Sequence, residues 1–357
     1  MTTYLLAGGG TAGHVNPLLA IADALMARNP GDRVLVLGTA EGLEARLVPL
    51  RGYELIVIPS LPFPRKPSLD AVRFGPRFRA AFRDVAHVIE SRGVEAVVGF
   101  GGYASTPAYL AAHRTKTPLV IHEANAIPGL ANRLGSIITK GIGVAFEGTR
   151  LRHARFVGMP LRPEIEHLDR AAARSEGMRI FGLDPTLPTV LVTGGSRGAR
   201  RINETVRTAH RSIVDAGYQI LHITGSVAPI DDPHVAEYHI VEYCDRMDLA
   251  LAVADVAVSR GGSATVCELS ALGIPAVYVP YPVGNGEQRW NAHGVVVGGG
   301  GILVDDAKFT PEWVHANFVP LLTTPGVLAT MSERAASVGV SNGTELTLAL
   351  IDDVVGR

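Results

Sequence analysis

Four short apolar runs in the chain each end in a glycine-rich turn and continue into a stretch with helical spacing. Glycine permits positive φ and close approach of backbone to a ligand. The helix that follows directs its unpaired N–H groups and positive dipole end at the same point. The pattern therefore predicts strand–loop–helix units that bind phosphate, as in a nucleotide-handling protein. The runs and their turns are residues 4–7 and 8–14, 96–100 and 101–105, 190–193 and 194–199, and 256–258 and 259–265.

Strand-like and helix-like segments alternate along the chain, which predicts parallel sheets joined by right-handed crossovers. Two prolines and a glycine within residues 156–163 end the first series, and a second series starts at Thr189. Because segments 4–14 and 190–200 share one plan, we expect two Rossmann-like lobes rather than a solenoid.

The composition predicts a large soluble globular enzyme. The chain has 357 residues, of which 47% are hydrophobic and 19% charged, and its net charge of −1 gives no bias toward nucleic acid. At about 100–200 residues per domain, this length suggests two domains. The two cysteines, Cys244 and Cys267, are too few for a disulfide framework and fit a reducing compartment.

The motifs that the sequence lacks also shape the prediction. We expect no signal peptide, and no uncharged apolar run reaches the length of about 20 residues that spans a bilayer, so any membrane contact is expected to be peripheral. The sequence has no D-x-D motif, H-x-x-x-H pair or Cys/His cluster, which predicts neither a metal site nor a cofactor. A diphosphate leaving group would then be stabilised by helix ends, loop amides and Arg162 or Arg260.

The first loop also matches the dinucleotide fingerprint G-x-G-x-x-G at Gly8, Gly10 and Gly13. A dehydrogenase needs an acidic residue at the end of the second strand to bind the ribose. Here that strand ends at residues 36–39, and Glu41 comes later, in a loop, which disfavours NAD. Alternatively, a glycine-rich turn can serve only to pack a helix and bind no ligand. This explanation could hold for any one of the loops, but four such loops in one chain disfavour it for the set.

The fourth loop carries the most specific chemistry. Glu268 follows it inside the next helix, where a carboxylate can accept from both ribose hydroxyls while the loop amides contact a diphosphate. Residues 285–291 are rich in amides and acids, which suit sugar hydroxyls because an amide supplies both donor and acceptor. The alternatives are an acid favoured by the helix dipole and an ordinary solvated loop.

Together these motifs resemble the MurG family of UDP-N-acetylglucosamine transferases, which make lipid II from lipid I in peptidoglycan synthesis. The resemblance runs from residue 4 to about residue 350, and it is the order and spacing of the motifs that make it specific. It rests on residues 8–17, 101–103, 122–125 with Asn132, 158–162, 194–199 and 287–292.

The resemblance implies an α/β protein of the GT-B fold, with two Rossmann-like lobes of parallel sheets around a central cleft. Residues 1–161 would form the acceptor lobe, to which a C-terminal helix at about 341–357 crosses back, and residues 162–340 the UDP-GlcNAc lobe. The activity implied is metal-independent, inverting transfer of GlcNAc from UDP-GlcNAc to lipid I. UDP-GlcNAc is a substrate here, so no cofactor is implied.

The resemblance also implies a set of site residues. In the second lobe, backbone near Cys244 would bind uracil, Glu268 the ribose, and Gln288 with Asn291 the sugar. The diphosphate would meet Ser196, Ser263, Ala264 and Thr265, and further donor contacts would come from Thr11, Gly13, Asn125 and Arg162. The acceptor would meet Gly10, Thr11, Gly13, His14, Gly102, Tyr103, Asn125 and Asn132.

Inversion in a single displacement needs one base, for which His14 is the first candidate because a neutral imidazole can take the hydroxyl proton. Glu123 is the second candidate, and a histidine after a glycine loop can equally bind phosphate or cap a helix. Four positions depart from the family pattern: Ala12 for Gly, Met159 for Asn, Arg197 for Gln and Gly261 for Ser.

Residues 61–83 combine aromatic and basic side chains, which suits docking on anionic lipid headgroups. Phe78 and Phe82 fall on one helical face. The basic residues are Arg65, Lys66, Arg73, Arg77, Arg79 and Arg83, and Asp70 is the one acid among them. The alternative is that the phenylalanines face the core behind a solvated arginine rim.

With the family resemblance, this stretch predicts a peripheral enzyme on the cytoplasmic face of the cell membrane. Partners would be UDP-GlcNAc, lipid I, the anionic membrane surface and other cell-wall synthesis proteins, but not nucleic acid. Two other classes remain open: a different GT-B UDP-sugar transferase with another lipid or small-molecule acceptor, and a nucleotide-binding protein without catalysis.

Overall fold

The chain forms two compact units in the computed structural model, which describes residues 1–61, 69–195, 199–226 and 229–356, without the side chains of 69–72. The first unit contains residues 1–162 and 342–357, and the second contains residues 163–341. These boundaries lie within one residue of the divisions expected after residues 161 and 340.

Strands and helices alternate through both units, as the apolar pattern predicts. The strands are β1 (Thr3–Ala7), β2 (Arg33–Gly38), β3 (Glu54–Val57), β4 (Ala96–Gly99), β5 (Leu119–Glu123), β6 (Gly141–Val144), β7 (Ala154–Phe156), β8 (Thr189–Thr193), β9 (Gln219–Ile223), β10 (Tyr238–Val241), β11 (Val256–Ser259), β12 (Ala276–Tyr278) and β13 (Gly301–Leu303).

The helices are α1 (Ala12–Arg28), α2 (Glu44–Leu50), α3 (Leu69–Ser91), α4 (Ser105–Thr115), α5 (Leu130–Gly135), α6 (Pro163–Glu166), α7 (Arg170–Phe181), α8 (Arg200–Asp215), α9 (Met247–Val253), α10 (Ser263–Ala271), α11 (Glu287–Val297), α12 (Pro311–Trp313), α13 (Val319–Thr323), α14 (Val327–Val338) and α15 (Gly343–Val355). A π-helical segment, Val314–Phe318, joins α12 to α13. Within the described ranges, no helix combines the length and the apolar character needed to cross a membrane.

Both sheets are parallel and share one strand order. The first runs β3-β2-β1-β4-β5-β6-β7 and the second β10-β9-β8-β11-β12-β13. In each sheet the first strand of the unit lies in the interior, and the order reverses beside it. The alternating pattern thus correctly predicts two Rossmann-like lobes with parallel sheets.

Helices cover both faces of the first sheet, which explains why every residue of β1, β4 and β5 is buried. Leu5 and Ala7 of β1 point to a core shared with Val85 of α3 and Tyr109 of α4. Tyr4 and Leu6 point to the opposite core, which contains residues of α1 and α15.

The last helix packs against the first sheet. A side-chain carbon on Gly141 would lie 2.7 Å from Val354, and one on Gly143 would lie 3.1 Å from Leu350, so these glycines let α15 approach β6 closely. Arg28 of α1 forms an ion pair with Asp352 at 2.7 Å. The C-terminal helix expected from the sequence therefore belongs to the first unit.

Candidate functional site

The four glycine loops lie at equivalent places in the two sheets. The strand order reverses between β1 and β4 in the first unit and between β8 and β11 in the second. Ala7 pairs with Gly99 and Thr193 with Ser259, so the two loops of each unit leave the sheet side by side. Open α/β sheets bind ligands at this point, outside the carboxyl ends of the strands.

The first loop, residues 8–14, connects β1 to α1. Gly10 has a φ of +88°, a backbone conformation that residues other than glycine rarely adopt. Thr11 occupies the N-cap position, and its side chain caps no backbone amide. The amides of the first turn of α1, including Gly13, therefore form an N-terminus of the type that binds anions.

A buried carboxylate that the sequence analysis missed holds this loop. Glu44 is fully buried, and its Oε2 accepts a hydrogen bond from Gly10 N at 2.8 Å. Its Oε1 accepts from the Thr39 amide at 2.9 Å and the Thr39 hydroxyl at 2.8 Å. The Gly10 amide is therefore already engaged, so a contact between Gly10 and the acceptor pyrophosphate would not use this N–H. The available signal in the sequence was the pair of glycines that precedes Glu44, Gly38 and Gly42.

The second loop packs backbone to backbone against the first. Gly102 has φ of +86°, and a side-chain carbon there would lie 2.6 Å from Gly9 O. Ser105 Oγ fixes the turn by donating to Gly101 O at 2.7 Å and Ala7 O at 3.0 Å. Tyr103 projects from this loop with 46% of its surface exposed, which leaves its ring available to a ligand.

His14 lies between the two loops. Its Nδ1 is 3.1 Å from Gly9 O and 3.3 Å from Thr11 Oγ1. Its Nε2 faces the second loop, 3.2 Å from the position that a side-chain carbon of Gly101 would take. His14 is half-buried. The contacts of Nδ1 fix the orientation of the ring, which places Nε2 at the predicted site.

Glu123, the second candidate for the base, anchors a loop instead. It is 1% exposed, and its oxygens accept from Asn125 N at 2.8 Å, Gly129 N at 2.9 Å and Asn132 Nδ2 at 2.9 Å. A carboxylate whose two oxygens already accept these three hydrogen bonds is poorly placed to take a proton from a substrate. The geometry favours His14 over Glu123 as the base.

Asn132 belongs to the same buried network rather than to an open surface. Its Oδ1 accepts from Tyr109 OH at 2.7 Å, and the residue is 1% exposed. Next to it, burial lowers the pKa of His122 to about 4, and the hydrogen bond to Gly158 O only partly offsets this. His122 is therefore neutral at pH 7, and Asn132 holds the Glu123 carboxylate through its Nδ2.

In the second unit, the fourth loop opens α10 without a side-chain cap, which leaves the first amides of this helix for an anion. Ser263 is buried, whereas Ala264 and Thr265 are half-buried. Glu268 is the sixth residue of α10 and 8% exposed. The helix dipole acts on charges within the first turn of a helix, and Glu268 lies beyond that turn. The dipole alone therefore does not account for a carboxylate at this position.

Helix α11 approaches the fourth loop so closely that residue 261 has no room for a side chain. A carbon on Gly261 would overlap the backbone oxygen of Gln288. Asn291 is 1% exposed and donates to Gly261 O at 3.2 Å, so this amide holds the loop. Gln288 is half-buried and accepts from Tyr281 N at 2.9 Å. In this chain, therefore, a serine at position 261, as in the family pattern, would overlap the Gln288 backbone.

Arg260 is held by contacts within the second unit, and its contact with a diphosphate stays a prediction. Its guanidinium is paired with Asp306 and donates to Val279 O at 3.0 Å and Pro280 O at 3.3 Å. The side chain also lies over the Tyr281 ring at 5.6 Å. These contacts tie the fourth loop to the neighbouring strand connections.

The remaining predicted positions are distributed as follows. Arg162 and Cys244 are half-buried, and Asn125 is half-buried beside Glu123. Met159 is buried in the first unit, where its backbone packs against Gly343. Ser196 and Arg197 lie outside the described residues. Among the residues that the structure describes, no three His, Cys, Asp or Glu side chains are grouped as a metal site.

The arginines of the basic helix α3 are exposed to solvent, whereas part of its aromatic face packs against the core. Arg73, Arg77, Arg79 and Arg83 are exposed. Phe82 packs against the core, and the Arg114 guanidinium lies 5.9 Å above its ring. Phe78 is half-buried and stacks on Phe74 at 5.6 Å. Docking of this helix on lipid therefore stays a prediction, and Arg65 and Lys66 fall outside the described residues.

Comparison with protein families gives two matches that together cover most of the chain. Residues 4–144 match the N-terminal domain of glycosyltransferase family 28, and residues 189–346 match its C-terminal domain.

Two relatives carry the name UDP-N-acetylglucosamine–N-acetylmuramyl-(pentapeptide) pyrophosphoryl-undecaprenol N-acetylglucosamine transferase. The protein from Leifsonia xyli subsp. xyli is 62% identical over 351 residues, which is 98% of each chain. The protein from Streptomyces coelicolor is 49% identical over 355 residues, again 98% of each chain.

Solved structures give the same picture of the fold. The crystal structure of Acinetobacter baumannii MurG covers 100% of both chains with a TM-score of 0.80 and 26% identity. The UDP-GlcNAc 2-epimerase from Neisseria meningitidis, bound to UDP-GlcNAc, covers 99% of this chain and 100% of its own with a TM-score of 0.66. At 16% identity it shows a shared fold alone.

The close approach at Gly261 generates a stability prediction. Gly261→Ala forces α11 away from the fourth loop, and such overpacking costs about 1–3 kcal/mol, with about 2–4 °C of Tm lost per kcal/mol. Gly262→Ala is the matched control, because a carbon there meets only Thr265 Oγ1 at 3.8 Å. Thermal unfolding followed by circular dichroism should show a lower Tm for the first variant alone. Equal values for the two variants would contradict the packing described.

Proposed function

Since this chain belongs to glycosyltransferase family 28 and, within it, to the MurG family of UDP-N-acetylglucosamine transferases, we propose that it transfers GlcNAc from UDP-GlcNAc to lipid I. The product is lipid II, a precursor of peptidoglycan. The observation that carries this proposal is the 62% identity over 98% of a relative named for that activity. The glycine loops and helix N-termini at the carboxyl ends of both sheets supply the phosphate-binding groups that two pyrophosphate-containing substrates require.

The donor binds in the second unit. The uncapped N-terminus of α10 and the loop before it hold the diphosphate, and Glu268 accepts from the ribose hydroxyls. Gln288 is half-buried at the start of α11 and contacts the sugar. Asn291 supports this site through Gly261 O rather than by direct contact. Ser196 stays a proposed diphosphate contact.

The acceptor binds in the first unit, where the N-terminus of α1 holds its pyrophosphate. The 4-hydroxyl oxygen of the muramyl sugar attacks the anomeric carbon of GlcNAc, and the bond from that carbon to the UDP oxygen breaks. UDP leaves with the bonding electron pair, and His14 Nε2 takes the hydroxyl proton. One displacement inverts the α-linked donor to a β-1,4 glycoside. Helix N-termini and loop amides stabilise the charge on the leaving diphosphate.

A coupled assay with a soluble lipid I analogue tests the reaction and its proposed independence of metal. UDP should be released with the analogue and not with simple alcohols, and the rate should survive excess EDTA because the stabilising groups are backbone amides. Release with simple alcohols alone would indicate a different GT-B transferase. No release with any acceptor would indicate a binding protein, and loss on chelation that magnesium restores would overturn the metal-free mechanism.

The donor assignment predicts the effect of Glu268→Ala. A charge-assisted hydrogen bond is worth about 1.5–3 kcal/mol, so affinity for UDP-GlcNAc should fall by about 10–150-fold. Glu333→Ala, which removes an exposed carboxylate from α14 of the same unit, is the control. Isothermal titration calorimetry measures both variants. Unchanged donor affinity in the Glu268 variant would remove this residue from the site.

We propose that the protein binds the cytoplasmic face of the membrane peripherally, through the exposed arginines of α3. Each basic residue near an anionic surface contributes about 1 kcal/mol, and salt screens the attraction. The half-buried Phe74–Phe78 pair gives the same surface an apolar component.

The double substitution Arg77→Glu with Arg79→Glu should therefore largely abolish sedimentation with anionic liposomes at low salt, while turnover of a soluble acceptor is retained. Arg46→Glu with Arg179→Glu makes the same charge change at two exposed positions on α2 and α7 and serves as the control. Equal sedimentation of the α3 variant and the wild type would show that α3 is not the anchor.

A further inference from the structure

One peptide bond joins the buried carboxylate Glu44 to the ring of His14. The bond between Gly9 and Gly10 carries the Gly10 N–H, which donates to Glu44 Oε2 at 2.8 Å. It also carries the Gly9 carbonyl, whose oxygen lies 3.1 Å from His14 Nδ1. The carboxylate, the peptide and the imidazole therefore form one continuous hydrogen-bonded chain.

The Gly9 carbonyl fixes the tautomer of His14. A carbonyl oxygen only accepts, so a hydrogen bond at 3.1 Å requires the proton on Nδ1. Thr11 Oγ1, at 3.3 Å from the same nitrogen, can accept as well and is compatible with that proton. A neutral ring protonated on Nδ1 carries its lone pair on Nε2, the nitrogen that faces the second glycine loop.

The carboxylate strengthens this arrangement from the other end of the peptide. An N–H bound to an anion polarises its peptide group, which makes the carbonyl a better acceptor, and linked hydrogen bonds gain about 10–30% each. When Nε2 takes a proton, the ring becomes a cation, and a negative charge two hydrogen bonds away stabilises it. In hydrolytic triads a carboxylate bonds directly to Nδ1 for the same purpose.

Glu44 is held rigidly enough for this task. Both of its oxygens accept hydrogen bonds, and side-chain carbons on Gly9, Gly38 or Gly42 would overlap the Glu44 side chain, so these three glycines leave the space that it occupies. A fully buried carboxylate is costly unless it is bonded, and these amides and the Thr39 hydroxyl meet that need. Within the described chain the His14 ring contacts Gly9 O and Thr11 Oγ1, and Gly101 lies next to it.

We propose that Glu44 is a positioning residue for catalysis, which sets the tautomer of His14 and stabilises its protonated form through the Gly9–Gly10 peptide. This inference rests on the proposed function of His14 as the base. In the proposal, the His14 imidazole is supported by the Gly9–Gly10 peptide and by the Glu44 carboxylate, which acts through that peptide and not by direct contact with the ring.

The substitution Glu44→Gln tests the proposal. A glutamine side chain offers one acceptor and one NH₂ group, so it cannot accept from Gly10 and from Thr39 through separate oxygens. We expect kcat with the lipid I analogue to fall about 10–100-fold, the range seen when second partners of a histidine are lost. The Kd for UDP-GlcNAc, measured by calorimetry, should change little because the proposed contacts with the ribose, the sugar and most of the diphosphate lie in the other unit. Glu41→Gln, which alters an exposed carboxylate in the loop that precedes α2, should behave as wild type.

Nitrogen-15 NMR of histidine-labelled protein reads the tautomer directly, and it needs no substrate. The His14 signals, assigned by loss in His14→Gln, should show an Nδ1–H tautomer in the wild type and a gain of the Nε2–H form in Glu44→Gln. An Nε2–H ring in the wild type overturns the proposal even if the Glu44 variant fails to fold.

The kinetic and spectroscopic results together separate the possible failures. A Glu44→Gln protein with wild-type kcat overturns the proposal, and so does one that loses kcat with the tautomer unchanged, since that pattern is structural damage. If the wild type makes no lipid II while the tautomer depends on Glu44 as described, the proposed function fails and the coupling between the two residues stands.

Discussion

Close approach of backbone to backbone at the carboxyl ends of both sheets is the constraint on which the rest of the structure depends. In the first unit Gly102 packs on Gly9 O, and in the second Gly261 packs on Gln288 O. A side chain at either position would separate the elements that carry the candidate ligands. The glycines therefore serve two purposes, since they let the loops turn and they bring neighbouring segments together around the site.

Because the loops supply backbone groups, the side chains around them mainly hold the loops in place. Glu44 binds the first loop, Asn291 the fourth, and Glu123 the segment that leads into α5. Backbone groups are therefore proposed to bind the ligands, whereas most of the side chains described around the loops hold the loops in place. His14 in the first unit and Glu268 in the second are among the side chains proposed to act directly.

The sequence predicted the parts of this arrangement that depend on local pattern. Glycine spacing located all four loops, and strand–helix alternation predicted the parallel sheets. It could not predict contacts between distant segments: the pairing of Arg260 with Asp306, or the burial of Glu123 and Asn132. Glu44 was missed for the same reason, because its partners at Thr39 and Gly10 are brought together only by the fold.

We propose that backbone amides of the second unit hold the donor. Hydrogen–deuterium exchange with saturating UDP-GlcNAc measures those amides directly. The largest slowing of exchange should fall in residues 260–265, at the start of α10, and should exceed any slowing in residues 8–14. Slowing confined to residues 8–14, with residues 260–265 unchanged, would contradict it.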